Sequence, residues 1–148
     1  MPTEFRIIRI EGGLPVGFDA LCDAASAEGV RNMTMLREAW ASGSERFNGG
    51  GAALFGAWAG DVLIGVGGTT PETRLETPAM RMRRFYVLPA YRGGGAGRGL
   101  AKAAIRHGFA VADTLTVNAQ ASASAGPFWE AMGFETTTLD EVTHIRRA

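Results

Sequence analysis

The stretch YRGGGAGRG, Tyr91–Gly99, packs five glycines into nine residues. It sits between a strand-like run, FYVL (Phe85–Leu88), and an alanine-rich helical run, LAKAAIRHGFA (Leu100–Ala110). Glycine costs about 0.5–1 kcal/mol relative to alanine inside a regular element, so this density calls for a purpose. A helix N-terminus leaves N–H groups unpaired and carries a partial positive charge. Glycines let an anion come close to those groups. The stretch therefore predicts a phosphate cradle at the start of a helix. A P-loop would end in Gly-Lys-Ser/Thr, but Gly97 and Gly99 are followed by Arg98 and Leu100. A G-x-G-x-x-G fingerprint needs glycine at 98 or 100, and Arg98 and Leu100 stand there. Both nucleotide patterns fail in detail.

The bulk numbers narrow the class. The chain has 148 residues, 46% apolar and 20% charged, which fits one globular domain, 1–148, with a sizeable core. Basic and acidic residues balance at 15 each, which argues against general nucleic-acid binding. A single cysteine, Cys22, leaves no internal disulfide and suits a reducing compartment. No apolar run reaches the ~18 residues of a membrane helix, and MPTEFRIIRIEGG lacks a signal-peptide layout. The expectation is a cytoplasmic protein with no membrane partner.

Along the chain, FRIIRI (Phe5–Ile10) reads as a strand. Phe18–Ala27 is helix-like, with Phe18, Leu21, Cys22 and Ala25 on one face, where Cys22 is a small core residue. Val30–Ala41 gives a second helix with a Val30, Met33, Leu36, Trp40 stripe, and 47–51 reads as a loop. ALFGAW (Ala53–Trp58) and VLIGVGG (Val62–Gly68) flank a short glycine turn and form a hairpin. MRMRRFYVL (Met80–Leu88), LTVNA (Leu115–Ala119) and VTHIRR (Val142–Arg147) are further strands. GPFWEAMGF (Gly126–Phe134) opens as a short helix and ends on glycine. The order is β-α-α-β-β-β-α-β-α-β-β, an α/β (α+β) mix with a long antiparallel stretch. In Met80–Leu88 the apolar alternation breaks: Met80 and Met82 are even, Phe85 and Val87 odd. A β-bulge near Arg83-Arg84 would reconcile the two sets, and bulges often flank active sites. A strand apolar on both faces at its end would also explain it.

What does fit the loop is R-x-x-G-x-G, spanning Arg92, Gly93, Gly94, Gly95, Ala96 and Gly97, after V-x-P from Val87 to Pro89. This resembles the coenzyme A loop of the GCN5-related N-acetyltransferases (GNAT). FWEAMGF (Phe128–Phe134) looks like that family's F-Y-E-x-x-G-F helix, and the element order is similar almost end to end. The resemblance implies a mixed, largely antiparallel central sheet with helices on both faces. It implies acetyl-CoA as co-substrate, transfer of its acetyl group to a primary amine of a small molecule or peptide, and no metal. It implies cofactor contacts at Phe85, Tyr86, Val87, Arg92, Gly93, Gly94, Gly95, Ala96, Gly97 and Arg98, with Asn118 and Trp129 along the arm. A homodimer is a family-level expectation.

The chemistry sets requirements. An amine titrating near ~10 must lose its proton before attack, and a backbone N–H can stabilise the oxyanion. The resemblance points to Val87 for that N–H. The chain departs from the family in three places. The tyrosine that often protonates the leaving thiolate aligns with Trp129, whose indole is a donor but no usable acid. Tyr86 or a water is the substitute. The glutamate often found on the strand before the loop is missing, and Arg81, Arg83 and Arg84 stand on that strand. Glu72 and Glu76 are the nearest acids, Glu72 the candidate base, although a solvated loop charge is the plainer reading of each. Finally, the family's N-x-x-A-x-x-F spacing fits Asn118 and Ala121 but not Phe128, and counting back from Phe128 gives Ala125 and Ser122. Either Ser122 replaces the asparagine or the connection is longer.

His107 and His144 lie far apart with no cysteine or aspartate cluster and make no metal site. Asp140 and Glu141 beside His144 read as edge-strand charges. Trp40, Phe47, Trp58 and Trp129 could line an acceptor pocket, though aromatics at such spacings are more often core. A second functional reading is a non-catalytic acyl-CoA sensor or interaction module of the same fold. A third, a nucleotide-phosphate domain, meets the failed fingerprints.

Overall fold

In a computed structural model of the chain, which describes residues 4–120 and 122–148, strand β1 (Arg6–Ile10) is followed by α1 (Phe18–Ala27) and α2 (Asn32–Ser42). Then come β2 (Ala53–Ala59), β3 (Val62–Pro71), β4 (Met80–Val87), a 3-10 turn at Pro89–Tyr91, and α3 (Ala96–Val111). The chain closes with β5 (Thr114–Val117), α4 (Ala125–Ala131), β6 (Glu135–Leu139) and β7 (Val142–Arg147). The strands form one seven-stranded sheet in the order β1-β2-β3-β4-β5-β7-β6. Every neighbouring pair is antiparallel except β4 and β5, which run parallel.

The helix stripes explain the layers. Phe18, Leu21, Cys22 and Ala25 of α1 and Met33 and Leu36 of α2 are buried with Ile10, Leu54, Val66 and Tyr86 on one face of the sheet. Cys22 is 1% exposed there and its thiol donates to the Met33 carbonyl. On the other face, Ala101, Ala104 and Ile105 of α3 pack on Met80, Met82, Leu115 and Val117, with Trp129 of α4 and Phe134. Gly108 of α3 is a close approach, since a Cβ there would stand 2.6 Å from Leu115 Cδ2. Phe47, expected in a loop, is buried core on the first face, where it packs within the α1–α2 layer.

The flawed alternation of β4 is a bulge. β3 pairs Val66 with Tyr86 and Gly68 with Arg83, so one residue of β3, Gly67, faces two of β4, Arg84 and Phe85. Arg84 takes a left-handed conformation, φ 62. The extra residue brings Phe85 and Val87 to the α3 face shared by Met80 and Met82, and turns Tyr86 to the α1–α2 face. One expectation is corrected. β7, with His144, is not an edge strand: it lies between β5 and β6, and His144 is buried against Thr143 Oγ1 and Glu130. Asp140 and Glu141 occupy the β6–β7 turn, where Glu141 pairs with Arg74 at 2.9 Å. Strand β6, present in the expected order without bounds of its own, takes the edge.

Candidate active site

The parallel pair β4–β5 is short. It pairs only Met80, Met82 and Arg81 with Leu115, Val117 and Thr116, after which the strands separate. Between them opens a cleft of about 870 Å³. It is lined by the glycine loop, the upper part of β4, and Val117, Asn118, Ala119, Ser122, Ser124, Ala125 and Phe128. Leu88 N–H donates to the Ile64 carbonyl of β3. Backbone groups alternate in direction along an antiparallel strand, so the Val87 N–H points the other way, toward the side that β5 has left.

Most of the sequence-derived cofactor residues converge here. Phe85, Tyr86, Val87, Arg92, Gly93, Gly95, Ala96, Gly97, Arg98, Asn118 and Trp129 all line the cleft, and Gly94 lies in the loop between them. Gly93 and Gly95 hold φ of 84 and 92, which side-chain-bearing residues rarely adopt. Gly95 is the N-terminal cap of α3, with no side chain capping the first turn. The amides that open α3 therefore remain available to an anion. A Cβ on Gly97 would stand 3.6 Å from Val87 and 3.8 Å from Phe128, on the floor of the cleft.

The two candidates for the cofactor arm differ. Asn118 Oδ1 is buried with no hydrogen-bond partner among the described residues. Ser122 is exposed and its hydroxyl pairs with Ser124 at 3.1 Å. Asn118 is the one with an unmet acceptor. Ala121, the other half of that spacing, lies outside the described residues. Trp129 is 5% exposed and stands edge-on to Phe85, Phe128 and Phe134 at 4.8, 5.1 and 5.2 Å, an aromatic wall. Trp40, Phe47 and Trp58 pack in the core behind the sheet and do not reach the cleft.

The polar candidates are placed differently from expectation. Tyr86 donates its hydroxyl to Glu28, and Arg92 clasps the same carboxylate with both terminal nitrogens at 2.8 and 2.7 Å. Arg92 Nε also donates to the Val87 carbonyl at 3.0 Å. The Arg92 hydrogen bonds, helped by Tyr86, hold the Glu28 carboxyl down at about 2. Burial and the Glu28 carboxylate push Tyr86 up to about 12. The guanidinium thus ties the loop to α1, while the phenol proton is engaged by Glu28. Glu72 is not a solvated charge and does not line the cleft. It is 6% exposed, accepts from Thr116 Oγ1 at 2.8 Å, and takes the N–H and guanidinium of Arg74 at 3.1 and 3.2 Å. Burial raises its pKa, but those hydrogen bonds and the Arg74 charge outweigh burial and leave the carboxyl below its usual range. Glu76 is an exposed loop residue.

Two cleft residues escaped the sequence reading. Glu28 follows α1 directly, and nothing in its local pattern shows its partner 64 residues away. Asn32 opens α2, donates Nδ2 to the Phe85 carbonyl at 2.9 Å, and keeps its Oδ1 buried without a partner among the described residues. Arg81, Arg83 and Arg84 also line the cleft. Burial, and then the neighbouring arginines, lower Arg81, and bring Arg84 down to about 10. Among the described residues no cluster of three His, Cys, Asp or Glu is placed to hold a metal ion, and no helix is long and apolar enough to cross a membrane.

Comparison with known proteins agrees with this geometry. No curated protein matches the chain. Among solved structures, a protein from Exiguobacterium sp. 255-15 superposes with a TM-score of 0.86 at 24% identity, covering 97% of this chain and 93% of the other. An acetyltransferase from Streptococcus agalactiae 2603 gives a TM-score of 0.75 at 14% identity, covering 97% and 98%. A mutant of the toxin AtaT, bound to the C-terminus of the antitoxin AtaR and acetyl-CoA, gives 0.71 at 13% identity, covering 97% and 92%. At these identities the likeness is one of fold. The family model for the acetyltransferase (GNAT) domain matches residues 21–145, and the chain belongs to that family.

Proposed function

We propose that the chain, as a single acyltransferase domain, transfers the acetyl group of acetyl-CoA to a primary amine. The observation that carries this reading is the parting of β4 from β5 beside a glycine-capped helix. A neighbour of the same fold is described with acetyl-CoA, which supports the choice of co-substrate. The residues fit that molecule: the loop from Gly93 to Gly97 bares amides for a diphosphate, and Asn118 Oδ1 is an acceptor suited to an amide N–H of the arm. When bound, acetyl-CoA supplies a thioester carbon that the amine attacks, the carbon–sulfur bond breaking as the amine proton passes through water to the thiolate.

The protein's own groups divide the remaining work. The Val87 N–H is aimed at the oxygen that gains charge during attack, the kind of preorganised donor worth about 2.7–4 kcal/mol in other enzymes. Arg92 holds the Val87 carbonyl and, through Glu28, braces the loop that carries the amides. Phe85 and Trp129, edge to face at 4.8 Å, form an apolar wall beside the reacting atoms. Among the described residues no cleft carboxylate is a ready base, because Glu28 is held far down by Arg92. Catalysis then rests on proximity, on the donor, and on an amine that arrives neutral. Tyr86 is a brace in this scheme rather than an acid, since its hydroxyl donates to the Glu28 carboxylate and its pKa is pushed up to about 12.

Titration calorimetry with acetyl-CoA, followed by thiol release over a panel of amines, tests the proposal. Heat with an equimolar end point and amine-dependent thiol release are expected. Heat without release on any amine would favour a binding module, and no heat at all would overturn the reading.

A further inference from the structure

Three guanidinium groups, Arg81, Arg83 and Arg84, are half-buried in the cleft. Among the described residues none has a carboxylate within 4.0 Å. Arg83 makes one long contact, to Thr70 Oγ1 at 3.5 Å. The acids that could have answered them are occupied. Glu72, beside Arg81, is taken by Thr116 and Arg74, Glu141 by Arg74, and Glu28 by Arg92 and Tyr86. A guanidinium cannot shed its charge, so burial without a partner is costly. The chain nevertheless sums to zero charge, so the excess is local to this cleft. The bulge adds to the cost, because Arg84 holds φ 62 without being glycine, and strain of that sort collects at functional sites.

The phosphates of the co-substrate do not account for the three. The glycine loop lies beyond the C-terminal end of β4, while Arg81, Arg83 and Arg84 lie before Val87. At roughly 3.3 Å per residue, Arg81 stands on the order of 15–20 Å from Val87. A molecule with its diphosphate on the loop and its thioester near Val87 turns its phosphates away from them. Across the cleft, Asn32 Oδ1 is a buried acceptor with no donor among the described residues, fixed in place by its other hydrogen bond to the Phe85 carbonyl.

We infer that the acceptor is a small amine that also carries an anionic group, a carboxylate or a phosphate, bound by Arg81, Arg83 and Arg84 while Asn32 Oδ1 accepts an N–H of the amine. Three fixed positive charges suit a doubly charged partner, such as a dicarboxylic amino acid or an amino phosphomonoester, and disfavour a polyamine. The inference rests on the acetyl-transfer reading and names the class of molecule for the acceptor side of that cleft.

The test measures thiol release from acetyl-CoA with matched pairs: aspartate against aspartic diamide, phosphoethanolamine against ethanolamine, with spermidine as the cation. The anionic member of at least one pair should exceed its neutral partner in kcat/KM by about tenfold or more, as expected for charged hydrogen bonds. Which pair responds separates carboxylate from phosphate. Arg83→Gln and Arg84→Gln should each raise KM for that amine about tenfold, leave the calorimetric affinity for acetyl-CoA where it was, and be partly rescued by lysine. Thiol release confined to ethanolamine, the diamide or spermidine overturns this inference alone. Loss of acetyl-CoA affinity in the arginine variants also overturns it, by assigning them to the co-substrate. No heat and no release with any amine overturns the acetyl-transfer reading and this inference with it.

Discussion

Neighbouring glycines of the loop should respond oppositely to the same substitution. Gly95 holds φ 92 and Gly94 has no positive φ. Space is not the constraint at either: a Cβ on Gly95 would meet the Phe5 ring at 3.8 and 3.9 Å, and one on Gly94 only the Tyr91 carbonyl at 3.7 Å, both ordinary contacts. What differs is the backbone. An L side chain in the left-handed region costs about 1–2 kcal/mol. In a chain of this size that corresponds to roughly 2–8 °C in Tm. If the loop instead relaxes to escape the strain, the amides at the start of α3 leave their places, and the same energy appears as a ~5–30-fold rise in the Kd for acetyl-CoA. Gly94→Ala should do neither to the fold, since alanine at a compatible backbone narrows the unfolded ensemble and stabilises by about 0.4–1 kcal/mol. The assay is thermal unfolding and acetyl-CoA calorimetry on Gly95→Ala and Gly94→Ala in parallel. A Tm for Gly94→Ala as low as that for Gly95→Ala, or a Gly95→Ala protein with unchanged Tm and Kd, would refute the claim that a strained turn presents the amides.

Other outcomes follow from single contacts. Asn118→Ala should raise the Kd for acetyl-CoA by ~5–10-fold, the value of one neutral hydrogen bond, with Tm unmoved because Oδ1 has no partner among the described residues; calorimetry and a melt check both. Gly67→Ala would put a Cβ 2.2 Å from Phe85 Cδ1, and the displaced ring should cost about 1–3 kcal/mol by urea unfolding and weaken acetyl-CoA binding. The Glu28 carboxyl, held at about 2 against an ordinary 4.5, favours the folded state above its unfolded pKa and loses that contribution as pH falls from about 4.5 toward 2. Urea midpoints taken across that window should therefore fall less steeply for Glu28→Gln than for the parent protein.

How much of this was written locally decides what the sequence could yield. The glycine loop is legible because its requirement is local: a strand end, bared amides and a helix start are all within about ten residues. The bulge is legible for a similar reason, since a parity change between Met82 and Phe85 has few geometric remedies and the register of Gly67 against two residues is one of them. Glu72 was misplaced because its burial comes from outside its own segment: Thr116 Oγ1 arrives from β5, 44 residues on. The interior position of β7 was hidden likewise, because a hairpin that folds back to insert its second strand beside β5 reads in sequence as two terminal strands. Glu28 and Asn32 belong to the same class. Each acquires meaning from β4 and the loop, more than fifty residues away. The half of the cleft built by one continuous stretch shows its bared amides in the sequence, and the half assembled from α1, α2 and β4 shows nothing comparable. The proposed acceptor site thus sits where sequence patterns are weakest. Three consecutive-looking arginines on an ordinary strand, Arg81, Arg83 and Arg84, become informative only once the separation of β4 from β5 leaves them facing a cleft with no free carboxylate among the described residues.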